Sequence, residues 1–161
     1  MHSTTTALLW LSAIGCGLLA GLYFAFSTFI MGALGRIEPS AGIAAMNSIN
    51  SVIVRSLFMP VFLGSSLIAL VLAGVAVSQW QQPGSAVILA GGAIYVIGMF
   101  ACTMVFNVPL NNALMAVDPA GAGPSDVWAR YLRDWTSWNH VRTVASIVAI
   151  VLFIHAIAVR P

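Results

Sequence analysis

The chain has 161 residues, of which 60% are hydrophobic and only 6% are charged. A soluble globular protein is roughly a quarter charged, so this composition excludes an ordinary water-exposed domain. The net charge of +2, from six arginines and no lysine against four acidic residues, is too small to suggest nucleic acid as a partner. The length leaves room for one domain, over residues 1–161.

Four apolar runs predict an all-α integral membrane protein with four transmembrane helices in a bundle. They cover about residues 7–34, 57–78, 86–106 and 141–159, and each meets or approaches the roughly 20 residues that a ~30 Å hydrocarbon core requires. The runs show no period-2 alternation, so a sheet is not predicted. Gly17 and Gly21 form a GxxxG in the first run, a motif that lets two helices approach closely.

The first long connection, residues 36–54 between the first and second runs, has the pattern of an interfacial helix. Glu38-Pro39-Ser40 is typical of a helix start, and the apolar spacing over residues 44–53 is that of an amphipathic helix lying at the membrane surface. Asn50 and Arg55 lie near its end, where the second span begins. Both are candidates for a site at this membrane face, although a surface cap and a snorkelling arginine are simpler alternatives.

A second polar segment, Asn107-Val108-Pro109-Leu110-Asn111-Asn112, closes the third run. Pro109 lacks a backbone donor and clashes with the preceding turn, so the third helix is predicted to end or kink there. Asn107 and Asn111 would then offer neutral donors and acceptors at membrane depth. Asparagines that only cap a broken helix are the alternative.

The third connection, residues 107–140 between the third and fourth runs, is predicted to contain another interfacial helix that continues into the fourth span. Five residues at helical spacing share one stripe of it: Trp135, Trp138, Asn139, Arg142 and Ser146. An arginine at mid-membrane costs about 2.5–3.5 kcal/mol on insertion scales, so Arg142 is expected to face the bundle and to have a partner. The alternative is a snorkelling arginine beside an interfacial belt of tryptophans.

His140 is the histidine next to this stripe. It is either a general base, the role that histidine most often takes in catalysis, or an interfacial side chain that only forms hydrogen bonds. His155 lies about 22 Å further along the same helix, so the two cannot share a metal ion. The spans contain no CxxC, HxxE or carboxylate pair, and no metal site is predicted.

The arginines predict the orientation. Five belong to the first and third connections or their borders: Arg36, Arg55, Arg130, Arg133 and Arg142. Arg160 lies at the other face. The positive-inside rule then places both long connections in the cytoplasm and both termini outside, in a plasma (inner) membrane.

Three segments together resemble the signature of the anthrone oxygenase family. They are Met46-Asn47-Ser48-Ile49-Asn50, the Asn107–Asn112 segment and Trp135-x-x-Trp138-Asn139-His140-Val141-Arg142-Thr143. The likeness covers nearly the whole chain. It implies a small four-helix membrane protein that oxidises an anthrone to an anthraquinone with molecular oxygen, in polyketide biosynthesis, without an evident metal or flavin.

For this chain the resemblance suggests a cofactor-independent monooxygenase acting on a hydrophobic aromatic small molecule. His140 would remove a ring proton, and Arg142 with Asn111 or Asn139 would stabilise the enolate oxygen. The substrate would stack on Trp135 or Trp138. The remaining substrate-binding candidates are Asn50, Arg55 and Asn107.

A geometric expectation follows, namely that five polar side chains converge on one pocket: Asn50, Asn107, Asn111, Asn139 and Arg142. Two other classes of function stay open. One is a non-catalytic membrane protein that binds a quinone, a lipid or a haem at this face. The other is a structural or assembly subunit whose polar cluster only locks the helices together. Membrane lipid is an expected partner in every case, and a homo-oligomer is also open.

Overall fold

The computed structural model describes residues 2–117 and 124–159, and this part of the chain is helical with no strand. Four helices are long and apolar enough to cross a membrane: α1 (Ser3–Leu34), α3 (Phe58–Ser78), α4 (Ser85–Met115) and α5 (Pro124–Val159). The shorter α2 (Pro39–Ile53) occupies the first connection. The predicted all-α architecture with four long apolar helices is confirmed, and the length and composition of these helices are those of membrane spans.

The structure confirms the predicted start of α2, and it shows that the third long helix does not end at Pro109. Glu38 caps α2 as predicted, its carboxylate accepting the backbone N–H of Ser40 at 2.8 Å. In contrast, α4 does not stop near residue 106 but continues to Met115. It passes through π-helical turns at Val96–Ala101 and Thr103–Asn107, and Pro109 lies in the first turn of the α-helical stretch that follows. Pro109 supplies no N–H to the helix, and it directly follows turns whose hydrogen-bond pattern already departs from that of an α-helix.

Small residues bring the long helices together toward the tight α3–α4 hairpin. A Cβ built on Gly92 of α4 would lie 2.8 Å from the carbonyl oxygen of Ala69 in α3. A Cβ on Gly98 would lie 2.6 Å from the Cβ of Ala145 in α5. The GxxxG pair does not play this part, since a Cβ on Gly21 would meet nothing within 4 Å and one on Gly17 only a side-chain tip at 4.0 Å.

At the opposite end of the bundle, large side chains fill the space between α1, α2, α4 and α5. These side chains form a buried cluster that consists of Phe26, Met31, Ile43, Met46, Leu114, Trp128, Tyr131 and Trp135. Gly42 of α2 lies directly on the Trp128 ring, where a Cβ would come within 2.6 Å of a ring carbon. The packing fixes α2 across the end of the bundle and turns Asn50 toward its interior.

Candidate functional site

A cavity of about 230 Å³ lies at the end of the bundle that carries the two long connections. All five helices contribute to its lining, which is mostly apolar. The polar or polar-tipped side chains in the lining are Tyr23, Asn50, Thr103, Asn107, Asn111, Trp135 and Arg142. Thr103, Asn107 and Asn111 follow one another at four-residue steps along α4, and the π-helical turn Thr103–Asn107 holds the first two of them. Such π turns are frequent at functional sites.

Arg142 is the centre of this lining and is only 4% exposed. Its Nη2 donates to Asn139 Oδ1 at 2.7 Å, and its Nη1 donates weakly to Thr103 Oγ1 at 3.4 Å. The guanidinium carbon lies 4.4 Å from the centroid of the Tyr23 ring and 5.0 Å from that of Trp135, within range of a cation–π interaction. No carboxylate pairs with Arg142 in the described part of the chain, where the ion pair is that of Arg133 with Asp134 at the surface. Its Nε also has no hydrogen-bond partner there.

Asn139 accepts a hydrogen bond from the Arg142 guanidinium and is itself bonded to α1. Its Nδ2 donates to the carbonyl oxygen of Tyr23 and to Ser27 Oγ, both at 2.7 Å. The carbonyl can only accept, so the amide nitrogen must face α1 and Oδ1 must face Arg142. Asn139 is fully buried. By linking α1 to α5 it fixes the orientation of the Arg142 side chain.

Asn107 and Asn111 are anchored to α5. Asn107 Nδ2 donates to the backbone oxygen of Trp135 at 3.2 Å, while its Oδ1 has no partner within the described residues. Asn111 Oδ1 accepts the Tyr131 hydroxyl at 2.7 Å. Trp135 Nε1 is also a buried donor without a described partner. Buried polar atoms are normally paired, so these two atoms are exceptions within the described part of the chain.

The structure brings together most of the predicted residues. Asn50, Asn107, Asn111, Trp135 and Arg142 line the cavity, and Asn139 lies directly behind Arg142. Four of the five polar side chains that were expected to converge therefore line the cavity, and the fifth, Asn139, is joined to it only through Arg142. What each of them does in the site stays a prediction.

Three predicted residues lie elsewhere. His140 is exposed and lines a separate outward groove with Ile94, Val144 and Val148, because one residue along an α-helix turns the side chain by about 100° away from Asn139. Its assignment as the base of this site is corrected. Trp138 stacks on Phe106, with ring centroids 3.6 Å apart, and does not line the cavity. Arg55 is exposed in the turn after α2.

Three residues of the site were missed by the sequence analysis. Tyr23 belongs to an uninterrupted apolar run and gives no local signal. Thr103 precedes Asn107 by one helical step, so the spacing that joins Asn107 to Asn111 would have found it. Tyr131 lies one step before Trp135 on the predicted stripe of α5. Both α4 and α5 thus carried a usable signal, whereas α1 did not.

The donor set does not resemble a metal site. Over residues 2–117 and 124–159, no three His, Cys, Asp or Glu side chains lie close enough to hold a metal ion. The side chains that line the cavity are instead neutral amides, hydroxyls, aromatic rings and one cation.

Comparison with known proteins gives one match. The sequence matches the profile of a family described as anthrone oxygenase over residues 52–152. No curated protein and no solved structure matches the chain. The matched range covers more than half of the sequence and includes Asn107, Asn111, Trp135, Asn139 and Arg142. The chain therefore belongs to the anthrone oxygenase family.

Proposed function

We propose that this protein is a membrane oxygenase that oxidises a planar anthrone-like or phenolic substrate to a quinone with molecular oxygen, in the cavity beside Arg142. One observation carries the proposal. A buried arginine with no acidic partner in the described chain lines a mostly apolar cavity. Membership of the anthrone oxygenase family supports oxygenase chemistry.

The cavity suits a compact ligand. Its volume of about 230 Å³ is below the ~300–1,000 Å³ typical of sites for drug-sized molecules. Phe26, Phe62 and Trp135 supply aromatic surface to the lining, which favours a flat, apolar ring system. Arg142 and the amides of Asn107 and Asn111 supply donors for an oxygen at one edge of that ring system.

The proposed reaction balances without an added reductant. Loss of one proton from the ring CH₂ gives an enolate, whose oxygen faces the Arg142 guanidinium. The enolate passes one electron to dioxygen, and the resulting radical and superoxide combine to form a C–O bond. Protonation gives a hydroperoxide, which loses water to leave a new C=O group. One oxygen atom enters the quinone and the other leaves as water, so molecular oxygen is the co-substrate and no further cofactor is proposed.

We also propose that the site faces the cytoplasmic side of a plasma (inner) membrane. Arg36, Arg55, Arg130 and Arg133 lie in or beside the long connections, and Arg160, which the sequence predicts at the opposite face, lies outside the described residues. An excess of arginine marks cytoplasmic loops. A Ser125→Cys variant should resist an impermeant thiol reagent in intact cells and react after permeabilisation. Reaction in intact cells would reverse the orientation.

Oxygen consumption tests the proposed reaction. Purified protein in lipid nanodiscs would be supplied with anthrone, and uptake of oxygen and formation of anthraquinone would be followed together. The expected result is one molecule of quinone per molecule of oxygen, at a rate well above that of empty nanodiscs. Arg142→Gln should lose the activity, while Arg133→Gln, which removes an exposed arginine of the same helix, should keep it.

Two outcomes would contradict the proposal. If neither anthrone nor its hydroxylated relatives are consumed faster than in empty nanodiscs, a non-catalytic binding protein explains the cavity better. If Arg133→Gln loses as much activity as Arg142→Gln, the reaction does not take place in this cavity.

A further inference from the structure

The described residues that line the cavity include a cation but no base. Tyr23 and Arg142 are the titratable side chains of its lining, and neither accepts a proton near neutral pH. The other polar side chains of the lining are amides, a threonine hydroxyl and an indole. The nearby His140 lies on the outward face of α5 and lines a different groove.

No described group supplies the negative charge that Arg142 lacks. Tyr23 of α1, Cys102 of α4 and Tyr131 of α5 are the titratable side chains that act on its guanidinium. Phenols and thiols are neutral at pH 7. From α2 and α3 the cavity receives Asn50 and apolar side chains. Among residues 2–117 and 124–159, the groups that face Arg142 are therefore uncharged.

A buried arginine cannot relieve this imbalance by losing its proton, because a guanidinium stays protonated in proteins. An uncompensated buried charge is costly. The hydrogen bond that Arg142 donates to Asn139 Oδ1 and the faces of the Tyr23 and Trp135 rings offset part of that cost. A ligand oxygen that carries a full negative charge would supply the missing counter-charge at the one face of Arg142 that adjoins the cavity.

We infer that the cavity selects its ligand as an organic monoanion, the ionised form of a planar hydroxyaromatic or enolisable ring ketone. This inference rests on the proposed function for the nature of the substrate, but it concerns binding and not oxidation. The proton of the ligand is released to water at the membrane face, and the anion that reaches Arg142 is the species ready to react with oxygen. A more acidic ring system should therefore bind better than a less acidic one of equal size.

A dye that is already a quinone tests this directly. 1,2-Dihydroxyanthraquinone has no ring CH₂ to oxidise, and its visible absorption distinguishes the neutral form from the anion. It would be titrated with acid and base in nanodiscs with and without the protein. An opposite charge within ~4–6 Å lowers the pKa of an acid by about 1–3 units, so bound dye should ionise at least about 1 pH unit lower than dye in empty nanodiscs. That shift corresponds to a tenfold preference for the anion.

Variants then locate the effect. Arg142→Gln should abolish the shift, Arg142→Lys should keep part of it because the cation remains, and Arg133→Gln should leave it unchanged. Size-exclusion chromatography would show which variants fold. Should Arg142→Gln fail to fold, the spectrum of the wild-type protein still decides. Bound dye that stays neutral, or dye that shows no change attributable to the protein, would overturn the inference, and so would a full shift in folded Arg142→Gln.

The two proposals fail separately. A shifted dye spectrum without consumption of oxygen would keep the anion site and reject the oxygenase. Oxygen consumption without a shift in the dye would keep the oxygenase and reject selection of the anion.

Discussion

The two ends of the bundle are built from the same helices in opposite ways. Toward the α3–α4 hairpin, Gly92 lies against the backbone of Ala69, and Tyr95 of α4 shares a 2.8 Å hydrogen bond with Ser65 of α3. At the other end, the first turns of α3 and the π-helical part of α4 both line a cavity. Close contact of helix backbones gives stability, and their separation gives room for a ligand.

The difference arises from side-chain size and polarity. Small residues let helices approach, because little side-chain volume stands between them. Large rings such as Trp135, together with a guanidinium and amides that must reach hydrogen-bond partners, hold the helices apart. Four variants test this contrast, from the largest expected effect to the smallest.

Among the four variants, Arg142→Gln should cause the largest loss, a loss of activity at the polar end of the bundle. Removing one donor that stabilises a developing oxyanion typically lowers turnover by about 10²–10³-fold, and a similar loss of kcat/KM is expected for oxygen uptake with anthrone. Arg133→Gln should stay within about twofold of wild type, as exposed substitutions usually do. A folded Arg142→Gln protein that keeps more than a tenth of the activity would contradict the role of the arginine.

Asn139→Ala should remove the hydrogen bond that orients Arg142 while keeping the positive charge of the arginine. The lost bond to a charged partner is worth about 1.5–3 kcal/mol, so kcat/KM should fall by roughly tenfold to a hundredfold. Asn139 would act as a positioning residue, through Arg142. The double variant Asn139→Ala/Arg142→Gln should therefore be no worse than Arg142→Gln alone. Additive losses would show that Asn139 acts independently of the arginine.

Gly92→Ala should strain the tightly packed end. Its Cβ would meet the Ala69 carbonyl oxygen at 2.8 Å and the Ala73 Cβ at 3.0 Å, and overpacking of this kind costs about 1–3 kcal/mol. Gly74→Ala is the matched control, since a Cβ at Gly74 of α3 would meet nothing within 4 Å. The thermal midpoint in detergent should fall for Gly92→Ala and stay level or rise for Gly74→Ala. Equal behaviour of the two variants would disprove the close contact.

His140→Ala should have the smallest effect on either end. The side chain is exposed in an outward groove and has no place in the cavity lining, so the rate of oxygen uptake should stay within roughly twofold of wild type. Loss of a general base would instead lower the rate by about 10²–10⁴-fold. A drop of that size would restore His140 as the base and show that the cavity rearranges when substrate binds.

Spacing along one helix predicted much of the site. Asn139 and Arg142 were placed on one face of α5 by their three-residue separation, and they form a 2.7 Å hydrogen bond. The same spacing also put Trp138 on the stripe, yet it stacks on Phe106 outside the cavity. Helical periodicity shows which side chains lie on the same face of a helix. It does not show how much of that face a neighbouring helix will cover.

By itself the sequence determined four apolar helices and a polar end, because the length of an apolar run and the avoidance of buried charge are local properties of the chain. The tertiary structure alone decided which groups meet. It placed Tyr23 against an arginine 119 positions later, and it used Gly92 and Gly98 for close packing where a GxxxG motif pointed to Gly17 and Gly21. These choices depend on which faces of separate helices come into contact, and that information is spread over the whole chain.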